Sequence, residues 1–163
     1  MKTLTRDEFA NLLNEANVKP RLKRELRFVP EEITNWEIRD FLAVTTKGGG
    51  EGVLIVPHEH TYVVPFQLQR RRPNDAGRTE AIICDICATW QRGSNSAIIT
   101  FFKEKSSMSY LCCADLLCSL HVRDLTPAST LSRTQLREHN TTEDRIERLL
   151  ARLQQILSNL DLK

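Results

Sequence analysis

The chain has 163 residues, of which 27% are charged, and its formal net charge at pH 7 is only +2. This near balance gives no indication of strong DNA binding or of an acidic tail. The first twenty residues include a polar segment, Thr5 to Glu8, where a secretory signal needs a continuous apolar run. No later stretch approaches the roughly 20 apolar residues of a membrane span. We therefore expect a cytoplasmic protein that folds as a single domain over residues 1–163.

Two helices are predicted at the N-terminus. Thr5 and Glu8 have the spacing of a capping box and precede an apolar stripe typical of one helix face. Pro20 can open a second short helix because its missing N–H would be unpaired in a first turn, and Pro30 then ends it. The domain is expected to begin with a small helical layer.

The pattern changes to β-structure after residue 40. Apolar and alternating runs predict strands over residues 41–46, 53–56, 61–64 and 66–69. The glycine triplet at 48–50 lacks the Lys-Ser/Thr ending of a phosphate loop and is interpreted as a hairpin turn. These runs predict an antiparallel sheet, followed by a polar connector over residues 70–80.

Four of the five cysteines form two close pairs. Two residues separate Cys84 from Cys87 and four separate Cys113 from Cys118, with a predicted hairpin (97–102 and 109–112) between the pairs. In a reducing compartment, paired cysteines indicate metal ligands or redox centres before disulfides. Four thiolates are what one tetrahedral Zn²⁺ ion requires. The order of knuckle, hairpin and helix is the treble-clef arrangement, so we predict one structural zinc ion in a finger over residues 81–125.

The doubled cysteine at 112–113 leaves two ways to complete the second pair, since either residue can pair with Cys118. Adjacent residues cannot easily both bind one ion. Cys113 is better placed relative to Asp115, which is predicted to cap a helix running through Leu120 towards Arg123. We predict Cys113 as the ligand and Cys112 as a buried strand residue.

Enzymatic uses of these cysteines fit the sequence less well. A thioredoxin-like motif would place Cys84 and Cys87 alone at the head of a helix, but a second pair follows. A zinc deaminase needs His-x-Glu and a proline before its Cys-x-x-Cys, whereas residues 58–60 are His-Glu-His and an isoleucine precedes Cys84. Four cysteines also leave no position for a catalytic water. We expect no enzymatic activity and no small-molecule substrate, and we interpret residues 58–60 as exposed hairpin surface.

A polar stretch, 126–140, precedes a long C-terminal helix predicted over residues 142–160. Glu143 and Asp144 suit its first turn. Its apolar residues form one broad stripe, for which packing against the domain's own sheet is the preferred interpretation and a coiled-coil partner the alternative. The stripe consists of Ile146, Leu149, Leu150, Leu153, Ile156, Leu157 and Leu160.

Together these elements predict an α+β fold, and two segments carry a resemblance to a known family. Residues 84–87 (Cys-Asp-Ile-Cys) and residues 110–123, which include the second cysteine pair, resemble the C-terminal treble-clef zinc-finger domain of the elongation factor G-binding proteins. That family includes the fusidic-acid-resistance proteins. The match extends to residues 36–42 and 142–148. The chain looks like the single-domain members, because it is too short to hold the full N-terminal helical bundle of the resistance proteins.

The resemblance implies that Cys84, Cys87, Cys113 and Cys118 are the zinc ligands. It also implies docking of the finger on elongation factor G, which the resistance proteins help to free from a drug-stalled ribosome. Tyr110 corresponds to a tyrosine of their factor-binding face, and its alternative role is packing across the sheet.

We therefore expect a protein that binds elongation factor G, or the ribosome near it, and modulates translation. The expected surface combines the finger hairpin and Tyr110 with the basic groups of Lys103, Lys105 and Arg123. The alternative is direct binding to RNA, including rRNA, by the basic segments 21–27 and 70–72, without elongation factor G. The resemblance leaves open whether the role includes protection against fusidic acid.

Overall fold

The computed structural model describes residues 1–127 and 140–162. Antiparallel strands, N-terminal helices and a long C-terminal helix are present, so the predicted α+β class is confirmed. Contacts between residues group the chain into two compact units, Met1–Leu68 and Gln69–Lys163. The expectation of a single domain stays a prediction. Most of the polar stretch predicted over residues 126–140 lies outside the described residues.

The first unit is a helical layer followed by an antiparallel sheet. Strand β1 pairs with β2, and β2 pairs with β3, both in antiparallel register. The elements are α1 (Arg6–Glu15), α2 (Pro20–Glu25), two 3-10 turns (Pro30–Glu32 and Trp36–Ile38), β1 (Leu42–Thr45), β2 (Glu51–Val56) and β3 (Tyr62–Arg70).

Helix α1 begins with the predicted capping box. The Glu8 N–H donates to Thr5 Oγ1 over 3.2 Å, and the Thr5 N–H donates to Glu8 Oε2 over 2.8 Å, so two first-turn donors are satisfied. The Phe9 ring stacks on Phe28, with ring centroids 4.2 Å apart. The apolar face of α1 therefore closes the core of this unit, which comprises Phe9, Leu13, Val18, Leu22, Leu42, Val44, Val53 and Ile55.

Strand β3 is continuous where two runs were predicted on either side of Pro65. The proline pairs with Val53 across the ladder, and its side chain is exposed. Val64 and Phe66, its neighbours, are buried on the opposite face of the strand. Proline lacks the N–H that a strand residue can donate to the ladder, but the strand continues through Pro65 here.

The second unit contains two antiparallel hairpins and two helices. Strand β4 pairs with β5, and β6 pairs with β7 along their whole lengths. The sequence patterns did not predict β4 and β5, each of which has only two residues. The elements are β4 (Ile82–Ile83), β5 (Trp90–Gln91), a 3-10 turn (Gly93–Asn95), β6 (Ser96–Lys103), β7 (Ser106–Cys113), α3 (Cys118–His121) and α4 (Thr142–Asn159).

Helix α4 begins at the predicted residue and ends one residue before the predicted end. Thr141 and Asp144 form its capping box. Its buried residues are Leu149, Leu153, Ile156 and Leu157. Leu150, which was assigned to the same stripe, is 43% exposed. The stripe was therefore predicted too wide, because Leu150 is one residue beyond Leu149 and so lies about 100° further round the helix.

Helix α3 differs from its prediction. It begins at Cys118, ends at His121, and has Leu117 rather than Asp115 at its N-cap position. Asp115 Oδ1 accepts a hydrogen bond from the Leu117 N–H over 3.0 Å. Asp115 therefore closes a local turn ahead of the helix, a geometry that Asp adopts as readily as a helix cap.

No helix within residues 1–127 and 140–162 is long and apolar enough to span a membrane.

Candidate metal centre

The first cysteine pair lies in the knuckle that joins β4 to β5. The Cys87 N–H points to Cys84 Sγ over 3.5 Å, and the Ala88 N–H donates to the Cys84 carbonyl over 2.8 Å. Ala88 has a φ of 56°, in the left-handed region that residues with a Cβ rarely adopt. The turn thus folds tightly around one sulfur, with a backbone N–H available to stabilise its thiolate.

The second pair joins the end of β7 to the start of α3. Cys113 is the last residue of the strand and Cys118 the first residue of the helix. Between them Leu116 has a φ of 54°, and its N–H donates to the Cys113 carbonyl over 3.1 Å. This second left-handed residue turns the chain so that Cys118 returns to the sulfur of Cys113.

The four sulfurs form one compact buried cluster. The Sγ to Sγ distances are 3.9 Å from Cys84 to Cys118, 3.6 Å from Cys87 to Cys113, and 3.8 Å from Cys113 to Cys118. All four sulfurs lie within 4.8 Å of one another. Zinc–sulfur bonds of about 2.3 Å in a tetrahedron require sulfur separations of about 3.8 Å. The four cysteines therefore fit one structural zinc ion.

The thiols perturb each other's acidity. Burial raises the pKa of Cys84, but hydrogen bonds with the three neighbouring thiols together lower it by more. The net result is a pKa well below the usual value. The pKa of Cys118 is raised, chiefly by its hydrogen bond with Cys113. A thiol must lose its proton when it binds a metal ion. Metal affinity therefore falls as the solution becomes more acidic.

Cys112 lies outside the cluster. It pairs with Ala97 across the β6–β7 hairpin, whereas Cys113 pairs with Ser96. Successive strand residues point to opposite faces, so only one of the two adjacent cysteines can face the other sulfurs. Burial raises the pKa of the Cys112 thiol, and the negative charge of Cys84 and Cys87 adds to that effect. Cys112 is thus the buried strand residue that the sequence indicated.

A chain of buried polar side chains begins at the cluster. The Thr89 hydroxyl lies 2.9 Å from Cys87 Sγ and accepts from Gln91 Nε2 over 2.8 Å. Gln91 Oε1 in turn accepts from Asn95 Nδ2 over 2.8 Å. Sequence reasoning missed these residues, because polar side chains in short strands carry no spacing that distinguishes a buried network from a solvated surface.

The same chain continues to the second cysteine pair. Asn95 Nδ2 also donates to Asp115 Oδ2 over 2.9 Å, and His121 Nε2 lies 3.1 Å from Asp115 Oδ1. Burial raises the pKa of Asp115, but hydrogen bonding and charge from His121, with further hydrogen bonds, lower it below its usual value overall. Asp115 therefore takes part in this network as an ionised carboxylate.

Thr126, His121 and Asp115 are connected in the order of a nucleophile, a base and an acid. His121 Nδ1 lies 2.9 Å from Thr126 Oγ1. However, the His121 side chain has no exposed surface. This buried histidine therefore joins the Thr126 hydroxyl to the Asp115 carboxylate.

The predicted partner-binding residues occupy different settings in the second unit. Tyr110 is half-buried, with its ring 6.2 Å from that of Phe101. Lys103 donates to the Asn159 carbonyl and pairs with Asp161, while Lys105 is exposed in the β6–β7 turn.

Arg123, which follows α3, donates to the Ser119 carbonyl over 2.8 Å and is half-buried. The structure therefore brings Lys103 and Lys105 to one hairpin end and places Arg123 beside the finger helix.

Residues 58–60 are exposed, as interpreted from the sequence.

Two short strands, a hairpin and a helix around four buried thiols define a treble-clef zinc finger. The chain matches the family described as FBP C-terminal treble-clef zinc-finger over residues 14–160, and it belongs to that family. Comparison with curated proteins and with solved structures gave no match. The predicted family, zinc-finger class and zinc cofactor are thereby confirmed.

Proposed function

We propose that this protein is a cytoplasmic, non-enzymatic zinc-finger protein that binds elongation factor G, or the ribosome near it, and modulates translation. The observation that carries the proposal is the family match, which runs from residue 14 to residue 160 and includes the finger and α4. Zinc has a structural role in this proposal, because four cysteines complete a tetrahedral shell and leave no site for substrate or water.

The β6–β7 hairpin supports the proposal with an exposed apolar and basic surface. Phe102 is 55% exposed and Leu111 36% exposed. Both lie on the hairpin face opposite buried Ile99 and Phe101, since side chains alternate along each strand. Lys105 adds an exposed positive charge at the hairpin end. An exposed aromatic residue with a basic residue at the same hairpin end suits an acidic protein partner.

Binding of purified elongation factor G and of ribosomes to the full chain tests the proposal. Lys105→Glu is expected to weaken association, and Lys47→Glu, at an exposed turn of the first unit, provides a matched charge reversal outside the hairpin sequence. The expected result is saturable binding that Lys105→Glu reduces several-fold and Lys47→Glu leaves unchanged. Absence of binding to both elongation factor G and ribosomes would overturn the proposal.

Direct RNA binding is the second candidate, favoured by the exposed Arg70 and Arg72 at the start of the connector. The other basic segment supports it less, because Arg21 pairs with Glu51 and Arg27 with Glu32. RNA binding through several phosphate contacts has a steep dependence on salt. Binding to naked rRNA that weakens by orders of magnitude between 50 and 200 mM salt, without binding to elongation factor G, would favour this candidate.

A further inference from the structure

We propose that Thr89 and Asn95 are positioning residues of the zinc centre: Thr89 donates a hydrogen bond to the Cys87 thiolate, and Asn95 ties the two cysteine pairs together. The proposal concerns the metal centre and does not depend on which partner the finger binds. It rests on the hydrogen-bond geometry of a buried network between the two pairs.

The neighbouring hydrogen bonds fix the direction of the Thr89 hydroxyl proton. Gln91 Nε2 can only donate, so the Thr89 oxygen accepts from it over 2.8 Å. Gln91 is held in this orientation because its Oε1 accepts from Asn95 Nδ2. The single Thr89 hydroxyl proton is then free for Cys87 Sγ, 2.9 Å away. A hydrogen bond to an ionised acceptor is shorter and stronger than one to a neutral group.

Asn95 lies between the two halves of the site. Its carbonyl accepts from the Ala114 N–H over 3.0 Å, and its side-chain Oδ1 accepts from the Asp115 N–H over 3.1 Å. Its Nδ2 donates both to Asp115 and to Gln91. One residue thus holds the turn between Cys113 and Cys118, and also reaches the hydrogen-bond chain that ends at Cys87.

The hydrogen-bonded side chains of this network are buried. Gln91 has no exposed surface, Thr89 is 5% exposed and Asn95 9% exposed. Water therefore has little access to replace any of these hydrogen bonds, and the loss of one partner leaves a buried polar group unpaired. Removal of a group that orients a metal ligand through a hydrogen bond typically lowers metal affinity by about 10-fold to 100-fold.

Substitutions at Thr89 test the hydrogen bond to sulfur, with Co²⁺ as the spectroscopic probe in the full chain. Thr89→Val removes the hydroxyl at nearly constant shape, and Thr89→Ser retains it. We expect Thr89→Val to weaken Co²⁺ and Zn²⁺ binding by about 10-fold to 100-fold. It should also shift the sulfur-to-cobalt charge-transfer band to lower energy, because the sulfur lone pair loses its stabilising proton. Thr89→Ser should restore both properties.

Three results would overturn the proposed hydrogen bond from Thr89 to sulfur. They are wild-type affinity and spectrum in Thr89→Val, weaker metal binding by Thr89→Val with an unshifted charge-transfer band, or a Thr89→Ser variant as impaired as Thr89→Val. If circular dichroism shows that Thr89→Val does not fold, Gln91→Met answers the same question. That variant keeps the hydroxyl but removes the group that orients it, so we expect weaker metal binding and a shifted band. Unchanged binding in Gln91→Met would contradict the proposal.

Asn95→Asp tests the bridge between the pairs. The change is almost isosteric, but it replaces the donor to Asp115 with a second carboxylate. Asn74→Asp is the matched control, because Asn74 lies in the exposed connector and its Oδ1 only accepts hydrogen bonds, from Ala76 and Arg78. We expect Asn95→Asp to lower metal affinity at least about 10-fold and Asn74→Asp to leave it unchanged. Equal affinity in the two variants would refute the bridging role.

Discussion

The guanidinium carbon of Arg152 lies 5.4 Å from the centre of the Tyr110 ring. Arg152 Nε also donates to the Asp85 carbonyl over 2.9 Å. Asp85 lies between the first two zinc-finger cysteines, and its side chain accepts from the Leu111 N–H of β7. One arginine of α4 therefore contacts both the knuckle and the hairpin, so the C-terminal helix is an integral part of the zinc-finger unit.

Replacement of Arg152 by alanine should destabilise this unit. The change removes a cation–π contact and a charged hydrogen bond, and we expect a loss of about 1 to 2 kcal/mol in the free energy of unfolding. Chemical denaturation measures the loss. Arg24→Ala, at an exposed position of α2, is the control and should change stability by less than about 0.5 kcal/mol. Equal effects of the two variants would contradict a role for Arg152 in docking α4.

The adjacent cysteines provide a direct test of the metal ligands. Both Cys112 and Cys113 are fully buried, so alanine removes a similar side chain from each. We expect Cys112→Ala to retain one zinc per chain with a modest loss of stability, because only packing is lost. Cys113→Ala should retain less than about half an equivalent and lose its resistance to chelators, since the tetrahedral shell is incomplete.

Elemental analysis of the purified variants, followed by titration with a chelator, gives the result. Full zinc occupancy in Cys113→Ala, or loss of zinc in Cys112→Ala, would reverse the assignment of the third ligand. The same titration of the wild-type chain should show chelator-induced loss of structure in the second unit, where all four thiols lie.

The ion pair between Asp124 and Arg145 predicts an acid-dependent contribution to stability. Arg145 donates to both carboxylate oxygens, over 3.1 and 2.7 Å, and lowers the pKa of Asp124 below its usual value. A lowered pKa in the folded state means that the contribution is present above the unfolded value of about 3.9 and is lost as the pH falls through the folded value.

Asp124→Asn should therefore be less stable than the wild type at pH 7, and this difference should shrink as the pH falls from about 3.9 and disappear below the folded pKa of Asp124. The aspartate is largely exposed, so the difference should be less than about 1 kcal/mol. Asparagine also tolerates the left-handed backbone at this position, where φ is 55°. Denaturation from pH 2 to pH 7 measures the effect, with Asp75→Asn in the exposed connector as the control. A difference that does not vary with pH would argue against the ion pair.

Gly52 should be intolerant of a side chain. A Cβ at this position would lie 2.5 Å from the Val44 carbonyl oxygen and 2.6 Å from Phe66 Cζ. Gly52→Ala must displace the ring or separate β1 from β2, and we expect a loss of about 1 to 3 kcal/mol in the free energy of unfolding. Gly48→Ala, in the turn of the same hairpin, meets nothing within 4 Å and should be nearly neutral. Comparable denaturation midpoints for the two variants would contradict this packing.

Features that depend on near neighbours along the chain could be predicted from the sequence. The capping box of Thr5 and Glu8 and the start of α4 at Thr142 are examples. The prediction of Asp115 as a helix cap was wrong, because the Asp side chain can satisfy a nearby N–H in a turn or in a cap. Leu150 was misplaced because a broad apolar stripe does not define the edge of a buried face.

The chemistry of the metal centre could be predicted from local sequence, since two close cysteine pairs around a hairpin are a local pattern and four thiolates suit zinc. The contacts that hold the two pairs together depend on how the chain folds. The β6–β7 register places Cys112 and Cys113 on opposite faces, and chain folding brings Asn95 to Asp115, twenty residues away. Such buried hydrogen bonds depend on three-dimensional proximity rather than on spacing along the chain, so no pattern in the sequence could reveal them.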